Sequence, residues 1–458
     1  MERPWYPAAR VPRSLSLLAD MMAAMRIKLK TLLAIGLALA VTGAAPRVDA
    51  HGGLPISQSI MWRGSTMVVP TPYWGLFLGT DGGPWNWICD EAINANQLRL
   101  ISMASDGMTF YATDSKGLTL SSDGGCDWKA AGGLPPALDV VSVVADPVDP
   151  KRAYVLANDS AVSANTGLWR TADAGATWTL IRALGTDLPG GLTVSYDGKL
   201  LAVTSLSQAM PRTATLHLST DSGNGFTSRA LTLPLMGATL TNLAPMWFDA
   251  APPGSGSLYL RTIVDPNQLL LRLDNLALGD PVLAMSTPLQ LRAMARDPEQ
   301  KTLLVGSSGG LFVQQPDMSF KLNDVLSSVQ CLSPRDGKLY LCAWNYAPDN
   351  AAVARLQLST NQPTRVFQYN QVKGPIDCPA TTKVGSLCSK LWLSYADQLG
   401  VDLSSMPDMA GTTPPTPPST ACQFGGNGQG GASAGGLAAM AAVFLSLRRR
   451  LKGSAGRA

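Results

Sequence analysis

Few side chains in this chain of 458 residues could do chemistry. It has two histidines, His51 and His217, and from residue 51 onward two glutamates, Glu91 and Glu299. A nucleophilic hydrolase would need one of those histidines as its base, and neither lies near a Gly-x-Ser-x-Gly turn. Acid–base cleavage of a sugar linkage needs a placed pair of carboxylates. Asp114, Asp139 and Asp265 are available, but nothing distinguishes them from turn residues. His217 falls in the alternating run Thr215-Leu216-His217-Leu218-Ser219, the period of a half-buried strand. The seven cysteines include no Cys-x-x-Cys pair, so no zinc site is expected, and no cofactor.

The charge balance removes another class. The net charge is +4, but 12 of the 36 basic residues lie in residues 1–50 and 422–458. The middle holds 24 basic and 29 acidic residues, a net of −5, with no basic stripe for a nucleic acid. Charged residues make up 15% of the chain and hydrophobic ones 46%, with 44 Gly and 33 Pro. That composition suits many short strands joined by turns.

The elements that would position any site repeat along the chain. Gly117-Leu-Thr-Leu-Ser-Ser-Asp-Gly-Gly-Cys-Asp-Trp128, Gly167-Leu-Trp-Arg-Thr-Ala-Asp-Ala-Gly-Ala-Thr-Trp178 and Thr215-Leu-His-Leu-Ser-Thr-Asp-Ser-Gly-Asn-Gly-Phe226 share one pattern. A short alternating strand leads into Ser/Thr-x-Asp-x-Gly-x-x-Trp/Phe, and Gly75-Leu-Phe-Leu-Gly-Thr-Asp-Gly-Gly83 is a fainter copy. The pattern reads as a hairpin turn whose Asp accepts backbone N–H groups, with the Gly two residues on at positive φ. This resembles the Asp-box (BNR) repeat of sialidases, sortilin-type receptors and photosystem assembly factors. The resemblance implies that Asp81, Asp123, Asp173 and Asp221 hold turns together and are neither catalytic acids nor calcium ligands.

Later copies keep the strand and lose the Asp. With Gly79, Ser121, Thr171, Ser219, Leu273, Gln314 and Ser359 as equivalent positions, the step is roughly 40 to 55 residues, the size of a four-stranded blade. The stretches before the turn read as a strand, a tight turn and a second strand, as in Val140–Ala145, Asp146-Pro-Val-Asp-Pro150 and Ala153–Ala157. The chain is therefore expected to be all-β, a seven-bladed β-propeller over 51–370, with six or eight blades as alternatives. In the extension 371–406 the period changes, and Leu387, Leu391, Tyr395 and Leu399 ahead of Gly400 predict an amphipathic helix over Ser386–Leu399.

Six cysteines suit three disulfides in an oxidising compartment. Cys331 and Cys342 face each other across a hairpin centred on Asp336-Gly337. Cys378 and Cys388 flank a short loop and are expected to pair, leaving Cys89 with Cys126 between blades 1 and 2.

Both termini read as addresses. Arg26-Ile-Lys-Leu-Lys30, an apolar run to Ala45 and Val48-Asp-Ala50 have the layout of a signal peptide within 1–50, with an untidy extension before Met22 or Met25. Cleavage after Ala50 would expose His51 at the N-terminus, the place where a histidine chelates copper in oxidative polysaccharide enzymes; its position here reads as coincidence. A Pro-rich linker, 407–421, leads to Cys422, a Gly-rich spacer, apolar residues within 431–447 and Arg448-Arg-Arg-Leu-Lys452. The order over 422–458 resembles the MYXO-CTERM sorting tails of myxobacterial surface proteins, with less Cys or Ser at its start and a shorter apolar stretch. The resemblance implies removal of the helix, display at the cell surface, and processing or lipid attachment at Cys422. A plain transmembrane helix over 431–447 is the alternative, and both place the propeller outside.

The function expected is a non-catalytic binding or scaffolding module for an extracellular protein or glycan, with the export and sorting machinery and the membrane as further partners. The alternative is a secreted sialidase-like glycoside hydrolase. Against it, Arg63 is followed by Gly64-Ser65 and not by the Ile-Pro of that family's arginine motif. Tyr73-Trp74 and Trp85 lie near predicted turns, where an exposed aromatic pair could stack on sugar rings, although core packing is expected for most aromatics of this blade.

Overall fold

The computed structural model describes residues 54–405, except 94–97, 99, 115–116, 136–137, 235–238 and 250–255. Twenty-eight consecutive strands form seven antiparallel four-stranded blades, spanning 61–88, 100–130, 139–183, 188–231, 244–287, 291–323 and 331–367. In each blade neighbouring strands follow one another in sequence, so a blade is an up-and-down meander. First strands neighbour first strands of adjacent blades (Leu100–Met103, Asp139–Ala145, Leu188–Val194, Ala244–Phe248, Leu291–Arg296 and Cys331–Arg335), so they are innermost and the fourth strands outermost.

The third strands end at Gly79, Ser121, Thr171, Ser219, Leu273, Gln314 and Gln357. Six of these are the positions the repeat marks, and the seventh falls two residues earlier. The alternation places every second residue between blades. Strand Leu201–Leu206 is buried throughout because it packs on both faces. The helix forms over Ser389–Leu399, entered through a π-helical turn at Val384–Cys388 and closed by Gly400 at φ 73°.

The two ends of the ring meet between blades 7 and 1. Trp62 Nε1 donates to Ser333 Oγ (2.8 Å), the Trp62 ring meets Tyr340 edge-on, and Trp85 stacks on Phe367 at 3.9 Å. After blade 7 the chain crosses to the outside of blade 1, where Val372–Pro375 adds a parallel fifth strand beside Trp85–Ile88. The helix then packs on the same blade, with Trp392 and Tyr395 against Trp87 and Tyr395 against Trp74.

This crossing corrects the expected cysteine pairing. Cys89 is bonded to Cys388 and Cys126 to Cys378; Cys331 is bonded to Cys342. Cys378 and Cys388 are close in sequence, but the added strand carries them over blades 2 and 1, where each meets a cysteine at least 252 residues away. The extension is thus a clasp, joined to blades 1 and 2 by a sheet edge, an aromatic core and two disulfides. The segments 1–50, 407–421 and 422–458, with His51, Cys422 and the apolar stretch 431–447, lie outside the described residues, and no described helix is long and apolar enough to cross a membrane.

Candidate functional site

Asp123, Asp173 and Asp221 each hold their own turn. Asp123 Oδ1 accepts the amides of Cys126 and Asp127 (both 3.0 Å), Asp173 Oδ1 that of Thr177 (2.8 Å), and Asp221 Oδ1 those of Asn224 and Gly225. The Ser or Thr two residues earlier completes the turn. The hydroxyls of Ser121, Thr171 and Ser219 donate to the carboxylate and accept the amides of Gly125, Gly175 and Gly223, which have φ of 97°, 90° and 82°. The Thr177 hydroxyl and amide bring the Asp173 carboxyl down to about 2, and the Ser219 hydroxyl lowers that of Asp221. Asp173 and Asp221, held ionised in this way, have no proton to deliver.

Asp81 behaves differently. Its Oδ2 accepts from Tyr340 Oη (3.2 Å) and pairs with the Arg355 guanidinium, so it fastens blade 1 to blade 7. Sequence reasoning grouped it with the other three because Asp81-Gly82-Gly83 keeps the Asp-x-Gly spacing, although Gly79 stands where they have Ser or Thr. The missing signal was the partner pair, more than 250 residues downstream.

The aromatic platform considered for blade 1 does not form. Trp74 and Trp85 are 3% and 2% exposed, and Tyr73 packs against the core that the clasp completes. Their indoles serve the ring closure described above.

Two polar clusters are buried. In blade 4, Ser205 Oγ donates to Asp187 Oδ2 (3.1 Å) and contacts His217 Nε2 (3.0 Å), while His217 Nδ1 contacts Ser228 Oγ (2.8 Å). The carboxylate binds the serine and not the imidazole, so the order of a Ser-His-Asp relay is absent. His217 is 5% exposed, and burial, with Arg182 nearby, lowers its pKa to about 4. Under the clasp helix, Glu91 accepts from the Tyr395 hydroxyl and its neighbour Asp90 is 3% exposed. Burial, and then the Glu91 charge and hydrogen bond, raise the Asp90 carboxyl well above the ordinary range. The clasp helix packs over this segment through Tyr395.

Three of the seven innermost strands, Leu100–Met103, Leu188–Val194 and Ala244–Phe248, carry no charged residue. Arg296 is paired with Asp249 (2.7 Å), Arg335 lies over the Trp62 ring, and Arg63 reaches the Gly124 carbonyl. Arg261 and Arg292 stand apart. Arg261, on the second strand of blade 5, reaches the innermost strand of blade 6 and donates to the Leu291 carbonyl (2.5 Å). The next residue on that strand, Arg292, is exposed and donates to Gln290. Burial, and then the Arg292 charge, lower the Arg261 pKa. Neither guanidinium has a carboxylate within ion-pair distance among the described residues. Two neighbouring cations with open donors can hold an anionic group in bidentate fashion. Nothing in the sequence marks the two together, because they are 31 positions apart in unrelated patterns.

Elsewhere, a shallow cleft of about 430 Å³ opens on blades 6 and 7, lined by Gln315, Lys321, Asn323 and Asn361 among others. No group of three or more His, Cys, Asp or Glu able to hold a metal occurs among the described residues.

No family model and no curated protein matches the chain. Among solved structures it is similar to a puromycin hydrolase S511A mutant complexed with PGG, at 14% identity and a TM-score of 0.50 over 70% of this chain and 54% of that one. A GH74 xyloglucanase from Xanthomonas campestris matches at 14% and 0.45, over 70% of this chain and 56% of that one. The Swd1 β-propeller domain from Myceliophteria thermophila matches at 8% and 0.43, over 64% and 94%. The chain spans about half the length of the hydrolase and the xyloglucanase, and the likeness to the hydrolase is one of fold alone.

Proposed function

We propose that the protein is an exported, surface-displayed binding module whose channel takes an acidic group of an extracellular protein or glycan between blades 5 and 6. The observation that carries this reading is that Arg261 donates to the Leu291 carbonyl directly before the exposed Arg292, with no carboxylate within ion-pair distance of either among the described residues. Such a pair supplies affinity and orientation but no proton acceptor. The three disulfides fit an oxidising compartment, which supports export. The hydrolase reading finds less support, since its carboxyl pair would be Asp90 and Glu91, beneath the clasp helix.

The test is binding of the full chain to immobilised polygalacturonate and polyglutamate, with dextran as the neutral control. The expected result is retention on an acidic polymer, weakened about tenfold or more in Arg292→Ala and by added salt. Equal binding by Arg292→Ala and the parent would overturn the site. Release of shortened chains from the polymer would overturn the non-catalytic reading.

A further inference from the structure

Outermost strands present an open row of backbone donors and acceptors, and proteins commonly block that row with charge, proline or a covering segment. Among the described residues six of the seven outermost strands here are blocked in one of these ways. Lys129–Ala130 carries Lys129, Thr179–Ala183 carries Arg182, and Thr227–Leu231 carries Arg229. Phe320–Asn323 carries Lys321, and Gln362–Phe367 carries Pro363 and Arg365. In blade 1, Trp85–Ile88 is uncharged, and the chain covers it with its own fifth strand, Val372–Pro375.

The strand Val282–Thr287 of blade 5 has none of these devices. Its sequence is Val-Leu-Ala-Met-Ser-Thr, without charge or proline, and no described strand pairs with its outer edge. Val282 and Leu283 are 50% and 49% exposed, and Leu278, in the loop leading into the strand, is 83% exposed. A register shift opposite Leu270 and Leu271 bends the strand, but blades 3 and 7 have a similar shift and carry a cation as well.

We infer that this edge is a self-association site, at which the fourth strand of blade 5 pairs antiparallel with the same strand of a second copy across a two-fold axis. Charge decides the occupant. Antiparallel pairing of any other open outer strand with its own copy brings like cations together, which is unfavourable across a strand pair. Val282–Thr287 alone pairs with itself without that cost. The two blades would form one continuous eight-stranded sheet, with Leu278, Val282 and Leu283 of each copy covered at the seam. Six residues a side make a small interface, so the dimer is reversible and concentration-dependent. The seam lies on the outer edge of blade 5 and is independent of the arginine pair of the channel.

Sedimentation velocity of the full chain over a concentration series tests this. The parent should shift from monomer to dimer as concentration rises. Ser286→Lys and Ser286→Glu alter an exposed side chain and leave the core untouched. Each alone should weaken association about tenfold at low salt, and an equimolar mixture of the two should restore it. That rescue separates pairing at this strand from any general effect on folding. A parent that stays monomeric throughout, or variants that associate as the parent does, would overturn the proposal. So would a mixture no stronger than its components.

Discussion

The join of the ring and its far side are built from different materials. Around blades 1, 2 and 7 the core is aromatic, with Trp74, Phe77, Trp85, Trp87, Phe110, Trp128, Phe367, Tyr369, Trp392 and Tyr395 in one cluster, and all three disulfides lie there. Blades 4 and 5 share a core made almost wholly of Leu and Ala, with Phe248 as its one fully buried aromatic. The difference follows from connectivity. Between blades 4 and 5 the chain itself holds neighbours together, and ordinary apolar burial completes the contact. Between blades 7 and 1 there is no such connection, so closing the ring there carries the entropic cost of one very large loop. Large rings with much buried area, an added strand and covalent bonds are concentrated where continuity is missing.

The sharpest way to break the comparison is to remove the covalent part of the clasp. Either long-range bridge alone already closes the ring, so Cys89→Ser with Cys388→Ser should cost only about 1 to 2 kcal/mol. Removing both long-range bridges should cost about 5 kcal/mol, more than twice the single loss. Removing Cys331–Cys342, which closes a separation of 11 residues, should cost about 3 kcal/mol. Denaturant midpoints of the three variants give the order; equal and additive losses would contradict it.

Next in size are the cores. Trp85→Ala removes a ring stacked on Phe367 at the join and should cost about 4 kcal/mol, whereas Leu271→Ala in blade 5 should cost about 3 kcal/mol. The more telling readout is hydrogen exchange. Trp85→Ala should loosen amides in blades 1 and 7 together, and Leu271→Ala those of blades 4 and 5.

The two regions should also answer pH in opposite directions. His217 has a folded pKa of about 4, below its unfolded value, so the unfolded chain binds the extra proton first. Blade 4 should therefore lose stability as pH falls from about 6.5 to about 4, by on the order of 2 to 3 kcal/mol. His217→Gln should remove that slope. Asp90 has a folded pKa raised above its unfolded value, mainly by burial. Its contribution is present below about pH 4 and is lost as pH rises through the folded value, and Asp90→Asn should flatten that dependence. Equilibrium unfolding across pH, with Trp fluorescence reporting on the join, separates the two.

The smallest effect is expected at the turns. Thr171→Ala should cost about 1 kcal/mol in blade 3, since it leaves the Gly175 amide without its acceptor. Asp81→Asn should leave its own turn in place and weaken the contact between blades 7 and 1.

What could be read from the sequence was local. Alternation and the Ser/Thr-x-Asp-x-Gly turns located the third strand of each blade because strand period and turn chemistry are written in consecutive residues. Gly400 marked the end of the helix for the same reason. The clasp was not legible. Val372-Lys-Gly-Pro375 has no alternation, and its strand character comes from the edge of blade 1, which it joins in parallel. With that strand unforeseen, Cys378 and Cys388 looked like partners because they are ten residues apart. The same blindness applies to Asp81 with Arg355 and to Arg261 beside Arg292, contacts made only when distant blades are brought together.

Peptide mapping of the non-reduced protein under conditions that block thiol exchange tests the clasp most directly. The account predicts linked peptides containing Cys89 with Cys388 and Cys126 with Cys378. Linked peptides containing Cys89 with Cys126 and Cys378 with Cys388 would contradict it, and would leave the ring without a covalent closure between its two ends.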